Sequence, residues 1–280
     1  MTDIFLHIPK AAGTSLGMTL MSQYGLCNTY RLSVEVDKPN VIKNKICLPA
    51  DNSRCVMMGH FSYGVADLYS ILTPRYFTML REPFDRLFSH YNFVRTTKKH
   101  NLHRNVVENQ LSFEQYIKSG ITLETSNGMV RQLSGHSTSW DINPDFEMLY
   151  SMAIKNLDAM CVFGLAEEYE KSLFLFADRL GWNEPIALSH INKTRTSRHD
   201  VILTAEQRNI VLNTNQYDIW LYEYARTKFF ENCINLDEFT VANVVVWKTN
   251  VIKGLYKLVE LKRYLGAKTI FVRKKLKQKH

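Results

Sequence analysis

Residues 4–16 read IFLHIPKAAGTSL, a short apolar run followed by a loop of small residues that carries one lysine. The apolar run predicts a buried β-strand, and the hydroxyls of Thr14 and Ser15 favour the start of a helix. Small residues at 11–13 let backbone N–H groups converge on an anion, and a helix N-terminus adds a favourable field. Lys10 brings a mobile positive charge to the same loop. The segment therefore predicts a phosphate site between a strand and a helix.

The composition is that of an ordinary globular protein, since 45% of the 280 residues are hydrophobic and 22% are charged. The formal net charge of +8 favours anionic partners such as nucleotides and sulfated or carboxylated sugars. No zinc-finger or RNA-binding signature accompanies this charge, so we expect no nucleic-acid partner. The five cysteines include no CxxC pair, which predicts reduced thiols rather than zinc ligands or a disulfide framework.

The sequence shows neither a signal peptide nor an apolar run of 18 residues, so we expect a cytoplasmic protein without a transmembrane helix. Residues 244–275 mix apolar side chains with Lys and Arg at about helical spacing. We therefore divide the chain into a domain over 1–238 and a basic amphipathic C-terminal helix or tail over 239–280. Such a helix either packs on the domain or makes peripheral contact with a membrane, and both interpretations stay open.

Alternating strand and helix patterns indicate an α/β domain with a central parallel sheet. Short apolar runs predict strands at 3–8, 54–59, 75–80 and 159–164. Helical patterns lie at 14–22, 83–97, 113–119, 122–133, 166–180 and 204–227. Pro83 suits the first position of a helix, and Thr204 before Ala-Glu-Gln predicts an N-terminal cap. The polar segment 35–53 predicts a surface excursion, and the basic segment 95–112 predicts a loop or helix rim.

The loop after the first strand differs from the two commonest nucleotide motifs. The Walker motif GxxxxGK[ST] places its lysine late, whereas Lys10 comes early and Gly13 is followed by Thr14 and Ser15 without a Lys-Ser pair. The sequence also lacks GxGxxG, which disfavours a dinucleotide-binding fold. A nucleotide or sugar kinase, and a non-catalytic protein that binds anionic glycans or nucleotides, remain as alternative functions.

A second segment, residues 77–91, reads FTMLREPFDRLFSHY. It predicts a strand, an arginine at the carboxyl end of that strand and then a helix. Ser89 lies eight residues beyond Arg81, which is about two turns into a helix that begins near Pro83. An arginine fork together with a hydroxyl suits a phosphate dianion. The segment is therefore a candidate for a second phosphate contact.

Together the two segments resemble the nucleotide motifs of carbohydrate sulfotransferases that use 3′-phosphoadenosine 5′-phosphosulfate (PAPS), in particular the group of heparan sulfate 2-O-sulfotransferase. The likeness covers roughly residues 4–230. It implies a three-layer, P-loop-like α/β fold in which helices flank a central parallel sheet. It also implies transfer of the sulfuryl group of PAPS to a hydroxyl, most readily of a carbohydrate, with release of the product PAP.

The resemblance also assigns site residues in this sequence. It implies that Arg81 and Ser89 hold the 3′-phosphate, and that Asn192 and Thr194 help to close over the nucleotide. Lys10 would be catalytic as well, because it can neutralise charge on the leaving oxygen. The family needs no obligatory metal, and the sequence shows no metal-ligand cluster. The loop that would hold the 5′-phosphosulfate consists of Pro9, Lys10, Ala11, Ala12, Gly13, Thr14 and Ser15.

Sulfuryl transfer also needs a base that removes the proton of the acceptor hydroxyl, and a histidine is suited to this task. His60 follows the predicted strand 54–59, and ligands of doubly wound sheets bind at the carboxyl ends of strands. The segment 59–64, GHFSYG, also resembles the catalytic-histidine segment of the same group. We therefore predict His60 as the catalytic base, with His136 as the second candidate.

The sequence indicates fewer residues for binding the acceptor than for binding the donor. Arg95, Arg131 and His136 are our candidates for acceptor contacts, since they lie in or after the basic region that follows the second motif. Such contacts would suit an anionic carbohydrate. The alternative is that these side chains only form part of the solvent-exposed surface.

Overall fold

A five-stranded parallel sheet lies at the centre of the computed structural model, which describes residues 1–35, 38–44, 46, 48, 53–136, 138–184 and 204–233. The strands of this sheet are, in spatial order, β2 (Thr29–Arg31), β5 (Cys55–Gly59), β1 (Thr2–Leu6), β6 (Arg75–Leu80) and β7 (Val162–Leu165). All but β2 are buried along almost their whole length. Continuous burial of this kind is typical of parallel strands that are covered on both faces.

The order of the strands reverses beside β1. From β1 the chain passes to β2 and β5 on one side of the sheet, and then crosses to β6 and β7 on the other side. All pairings in this sheet are parallel, so the carboxyl ends of the strands lie at one edge. Ligands of such sheets bind in the crevice at the point of reversal. The segments that follow β1 and β6 are therefore the ones that the fold places at this crevice.

Helices flank the sheet. α1 (Gly13–Tyr24) packs against β2 and β5, whereas α7 (Tyr169–Leu180) and α9 (Gln216–Cys233) pack against β7. No helix within the described ranges is long and apolar enough to cross a membrane. The remaining described α-helices are α2 (Pro83–Thr96), α3 (His103–Glu108), α4 (Phe113–Lys118), α5 (Gly128–Ser134), α6 (Phe146–Ala159) and α8 (Ala205–Thr214).

A buried ion pair holds α5 in place. Arg86 of α2 contacts Asp218 of α9 at 3.2 Å, and both side chains are fully buried. Asp218 also accepts hydrogen bonds from the backbone N–H groups of Met129 and Val130 in the first turn of α5. A carboxylate at this position is favoured by the field of the helix N-terminus. The position of α5 matters for the site because Gln132 in this helix contacts the loop that carries His60.

The strands predicted at 3–8, 54–59, 75–80 and 159–164 are confirmed, with boundaries that differ by up to three residues. The segment 35–53 is not wholly irregular, because β3 (Val34–Glu35) and β4 (Lys38–Ile42) form an antiparallel hairpin at its start. Strand β2 was not predicted, because three residues are too few to show a periodic pattern of apolar and polar side chains. The fold class predicted from the sequence, an α/β domain with a central parallel sheet flanked by helices, is confirmed.

Several predicted helices are also confirmed, with corrections at their ends. Thr204 and Gln207 form the expected cap of α8 by exchanging side-chain and backbone hydrogen bonds. The helix predicted over 204–227 is broken at Asn215, whose side chain instead bonds the backbone at Asn127 and Thr125. Within the segment 95–112 the structure contains the short helix α3.

Two further corrections concern helices. The single helix predicted over 122–133 consists of a 3₁₀ turn, Leu123–Thr125, followed by α5. Helix α6 was not predicted, although Leu149, Ala153 and Leu157 repeat with a helical period and are its buried residues. Asn192, Thr194 and the predicted tail over 239–280 lie outside the described residues.

Candidate active site

Three site residues follow the carboxyl ends of three adjacent strands. His7 follows β1, His60 follows β5 and Arg81 follows β6. The imidazole Nδ1 of His60 lies 2.8 Å from the carbonyl oxygen of His7, and a guanidinium nitrogen of Arg81 donates to the carbonyl oxygen of Lys10 at 3.0 Å. The base candidate is therefore bonded to the residue His7, just before the phosphate loop, and Arg81 is bonded to Lys10 within the loop.

The phosphate loop has an unusual backbone conformation. Lys10 and Ala12 both adopt positive φ angles, 67° and 57°, although neither is glycine. Alternation of left-handed and ordinary conformations is typical of backbone concavities that bind anions through N–H groups. Ala12 occupies the N-cap of α1 and offers no side-chain acceptor to the first turn. The start of this helix therefore suits an external anion as the partner of its free N–H groups.

Gly13 is required by the imidazole of His7. A Cβ atom built at Gly13 would lie 1.8 Å from Nε2 of His7, far inside van der Waals contact. The same imidazole ring lies 4.2 Å, centroid to centroid, from that of His60. His7 thus shapes the loop and links the helix start to the base candidate.

We expect Gly13→Ala to lower the free energy of unfolding by ~1–3 kcal/mol, the usual cost of overpacking, and to weaken the binding of an anion at the phosphate loop by displacing His7. Urea denaturation and calorimetric titration with PAP would measure both effects. Gly17→Ala is the matched control on the same helix. Its Cβ would meet only the flexible methyl end of Met58, at 2.9 Å. Equal effects of the two substitutions would contradict the role assigned to Gly13.

Lys10 lies in a partly buried position beside a second cation and an aromatic ring. Its ammonium group is 4.0 Å from the centroid of the Phe93 ring, a geometry in which the ring quadrupole attracts the charge. Burial, and then the positive charge of Arg81, lower the pKa of Lys10 to about 8. An anion bound between the two cations would relieve their repulsion and raise this pKa. The residues present therefore fit a bound phosphate or phosphosulfate group.

Arg81 is only weakly compensated by acidic side chains. Its guanidinium lies 3.9 Å from a carboxylate oxygen of Glu167 and 4.0 Å from one of Asp85. Glu167 also accepts hydrogen bonds from the backbone N–H of Glu82 and from the hydroxyl of Tyr222. Arg81 is partly exposed, so it can still reach a ligand. Ser89 lies partly buried on α2, the helix that starts at Pro83, two residues after Arg81.

His60 has the protonation state that a base requires. A carbonyl oxygen can only accept, so the bond to His7 fixes the proton of neutral His60 on Nδ1 and leaves Nε2 with a free lone pair. Burial lowers the pKa of His60 to about 4, while the hydrogen bond to His7 opposes this shift. His60 is therefore neutral near pH 7 and can accept a proton at Nε2.

The structure adds residues that the sequence did not reveal. Arg31, at the carboxyl end of β2, lies close enough that its charge helps to lower the pKa values of His7 and His60. Phe93 was missed because an aromatic residue on a helix usually packs into a core. His90, buried on α2, donates to or accepts from the hydroxyl of Tyr116 at 2.8 Å. Arg31 was not predicted as a site residue, because the strand β2 that positions it is only three residues long and gives no sequence signal.

The three candidates for acceptor contacts have different environments. Arg95 is exposed on α2, with its guanidinium 5.1 Å from the ring centroid of Tyr91. His136 is partly exposed, with Nδ1 2.9 Å from the hydroxyl oxygen of Thr138. Arg131 is fully buried and donates to backbone carbonyl oxygens of Ser126, Ser139 and Asp141. This burial does not favour the predicted acceptor contact of Arg131, whose guanidinium holds the backbone before and beyond α5.

The described part of the chain contains no group of three or more His, Cys, Asp or Glu side chains that could hold a metal ion. Asn192 and Thr194 lie outside that part.

Comparison with known proteins identifies the class. A profile described as "Sulfotransferase family" matches residues 4–225, and the chain therefore belongs to the sulfotransferase family. It is 27% identical over 274 residues to heparan-sulfate 6-O-sulfotransferase 1 of Homo sapiens, a match that covers 81% of this chain and 65% of the relative. It is 28% identical over 272 residues to heparan-sulfate 6-O-sulfotransferase 1-A of Danio rerio, covering 80% and 63%.

The chain thus spans just under two thirds of the length of these relatives. A solved sulfotransferase from Alicyclobacillus acidocaldarius matches with a TM-score of 0.39 and 14% identity over 79% of this chain and 94% of that one, which is too low for a comparison of sites. The family predicted from the sequence is confirmed. The finer resemblance to the 2-O-sulfotransferase group is not confirmed, since the relatives named here are 6-O-sulfotransferases.

Proposed function

We propose that this protein transfers the sulfuryl group of PAPS to a hydroxyl of a carbohydrate. One observation carries the proposal: in a member of the sulfotransferase family, the base candidate His60 bonds the backbone of His7, just before the phosphate loop, and Arg81 bonds the backbone of Lys10 within it, at the point where the sheet reverses. The family match does not favour the kinase alternative.

The donor would be held at two places. The loop over residues 9–15 and the start of α1 would take the 5′-phosphosulfate, while Arg81 and Ser89 would take the 3′-phosphate. Asn192 and Thr194 stay in the proposal as residues that close over the nucleotide. PAPS supplies the sulfuryl group and leaves as PAP, and Lys10 would offset the charge that develops on the leaving phosphate oxygen. No metal is part of the proposal.

His60 would take the proton of the acceptor hydroxyl at Nε2. The bond from Nδ1–H to the His7 carbonyl keeps the ring oriented and stabilises the imidazolium that forms. Burial lowers the pKa of His60 most in the free protein, and the positive charges of Arg31 and Lys10 lower it further. A bound donor dianion would offset these charges and raise the basicity of His60 at the moment it is needed.

The acceptor is proposed to be a carbohydrate because the relatives are named for heparan sulfate. Arg95 and His136 remain the proposed acceptor contacts, since both reach solvent. An anionic acceptor would suit the positive charge of the chain. The predicted tail over 239–280 keeps its two interpretations, packing on the domain or peripheral membrane contact.

The direct test is to incubate the protein with PAPS labelled in the sulfuryl group and a panel of acceptors, beginning with heparan sulfate and its desulfated forms. We expect label in the polysaccharide, and disaccharide analysis would give the position sulfated. Tight PAP binding without label in any acceptor would show the non-catalytic alternative instead.

The pH dependence follows from the two perturbed groups. For the free protein, kcat/KM for the donor is expected to rise through about pH 4, where His60 becomes neutral, and to fall through about pH 8, where Lys10 loses its charge. Initial rates at subsaturating PAPS between pH 4 and 10 would measure both limbs. A profile that is flat from pH 7 to 10 would contradict the role of charged Lys10.

A further inference from the structure

The side chain of Gln132 lies against the backbone on both sides of the base candidate. Gln132 is fully buried on α5. Its amide nitrogen donates to the carbonyl oxygen of His7 at 3.1 Å and to that of Phe61 at 2.8 Å. The first carbonyl is the one that accepts the Nδ1–H of His60. The second belongs to the residue directly after His60.

A further bond ties the same loop to the same residue. The backbone N–H of Tyr63 donates to the carbonyl oxygen of Gln132 at 3.0 Å. The segment 61–63 is thus held at both ends by Gln132. Since α5 is itself anchored by Asp218, these bonds tie the position of His60 to a fixed helix.

The orientation of the amide is set by its surroundings. Two carbonyl oxygens face the same end of the side chain, so only the NH₂ group fits there. Oε1 of Gln132 has no hydrogen-bond partner among the described residues, and a buried polar atom in that state is unusual. An apolar residue would avoid this penalty but would leave both carbonyls without their shared donor.

We propose that Gln132 is a positioning residue, whose amide fixes the imidazole of His60 relative to the phosphate loop. This inference rests on the proposed function, since it assigns His60 as the base. The proposed role of Gln132 requires no contact with donor or acceptor. It acts through the His7 carbonyl, which selects the Nδ1–H tautomer, and through the Phe61 carbonyl, which fixes the loop.

The test compares Gln132→Met with Asn156→Leu. The methionine keeps the length of the side chain and removes both N–H donors. Asn156 of α6 is the matched control, because its amide also donates to two carbonyl oxygens of α5, those of Leu133 and Ser134, at 2.9 and 3.0 Å. Unlike the His7 carbonyl, neither of these carbonyls shares a hydrogen bond with His60 within the described part of the chain. Both variants thus lose a similar pair of bonds at one helix.

We expect Gln132→Met to lower kcat by ~10²-fold, the cost of a small misplacement of a reacting group, with PAP affinity unchanged. We also expect ¹⁵N shifts of labelled histidine, with His60 assigned from His60→Ala, to show that the Nδ1–H tautomer gives way to a mixture. Asn156→Leu should retain the wild-type kcat and tautomer. If the methionine variant does not fold, Gln132→Glu carries the same test, since a carboxylic acid has at most one O–H and cannot donate to both carbonyls.

An unchanged His60 tautomer in the Gln132 variants would overturn the proposal, whether or not kcat falls. The tautomer is measured without turnover. A wild-type protein that shows the Nδ1–H tautomer but transfers no sulfuryl group would therefore refute the proposed function and leave the positioning of His60 by Gln132 intact.

Discussion

His60→Ala is expected to lower kcat for sulfuryl transfer by ~10²–10⁴-fold, the usual contribution of a general base, while PAP affinity stays within about twofold. The reason is geometric. His60 keeps a lone pair at Nε2, because its other nitrogen, Nδ1, is held by the backbone carbonyl of His7 just before the phosphate loop. Transfer of labelled sulfuryl at saturating PAPS, together with calorimetric titration with PAP, would measure the two quantities.

His136→Ala is the control for this variant. His136 is partly exposed, and its Nδ1 already faces the hydroxyl of Thr138, so we expect its loss to change KM for the acceptor more than kcat. If His60→Ala retained wild-type kcat and His136→Ala lost it, the assignment of the base would pass to His136.

Lys10→Met is the second substitution with a large expected effect. We expect kcat to fall by ~10²–10³-fold, because removal of one preorganised group that stabilises developing charge has about this cost. The methionine keeps an unbranched side chain that can still lie on Phe93. The fall of kcat/KM through about pH 8 should disappear at the same time, since Lys10 is the group that titrates there.

Lys171→Met provides the matched control, because Lys171 is an exposed lysine on α7 that pairs with Glu168 at 3.0 Å. Its kinetic constants should equal those of the wild type. Retention of the alkaline limb in Lys10→Met would show that another group titrates near pH 8, and would remove Lys10 from the leaving-group role.

Much of the candidate site could be proposed from the sequence, because its residues follow the ends of predicted strands. The apolar runs before His7, His60 and Arg81 are strong signals, and parallel strands bring their carboxyl ends to one edge. The family could also be predicted from the sequence. Lys10, Gly13 and Arg81 belong to two nucleotide motifs, and the binding of phosphate groups restricts the spacing of the residues in such motifs.

Other features depend on contacts that sequence patterns do not report. From the sequence alone, Arg131 counts as one more positive charge. Only the structure shows that its guanidinium donates hydrogen bonds to backbone carbonyls. Gln132 is a neutral residue inside a helix, and its partners lie 71 and 125 positions away in the chain. The break at Asn215 likewise needs Asn127, a residue from another element, to explain it.

The connection between the phosphate loop and the base runs through main-chain atoms of His7. Its N–H donates to Gly59, and its carbonyl accepts from both His60 and Gln132. Any residue whose side chain fits against Gly13 could provide the same backbone N–H and carbonyl groups. Relatives could therefore exchange the side chain at this position and still keep their donor and acceptor chemistry aligned. A sequence alignment would then show variation at this position, although the hydrogen bonds made by its backbone had not changed.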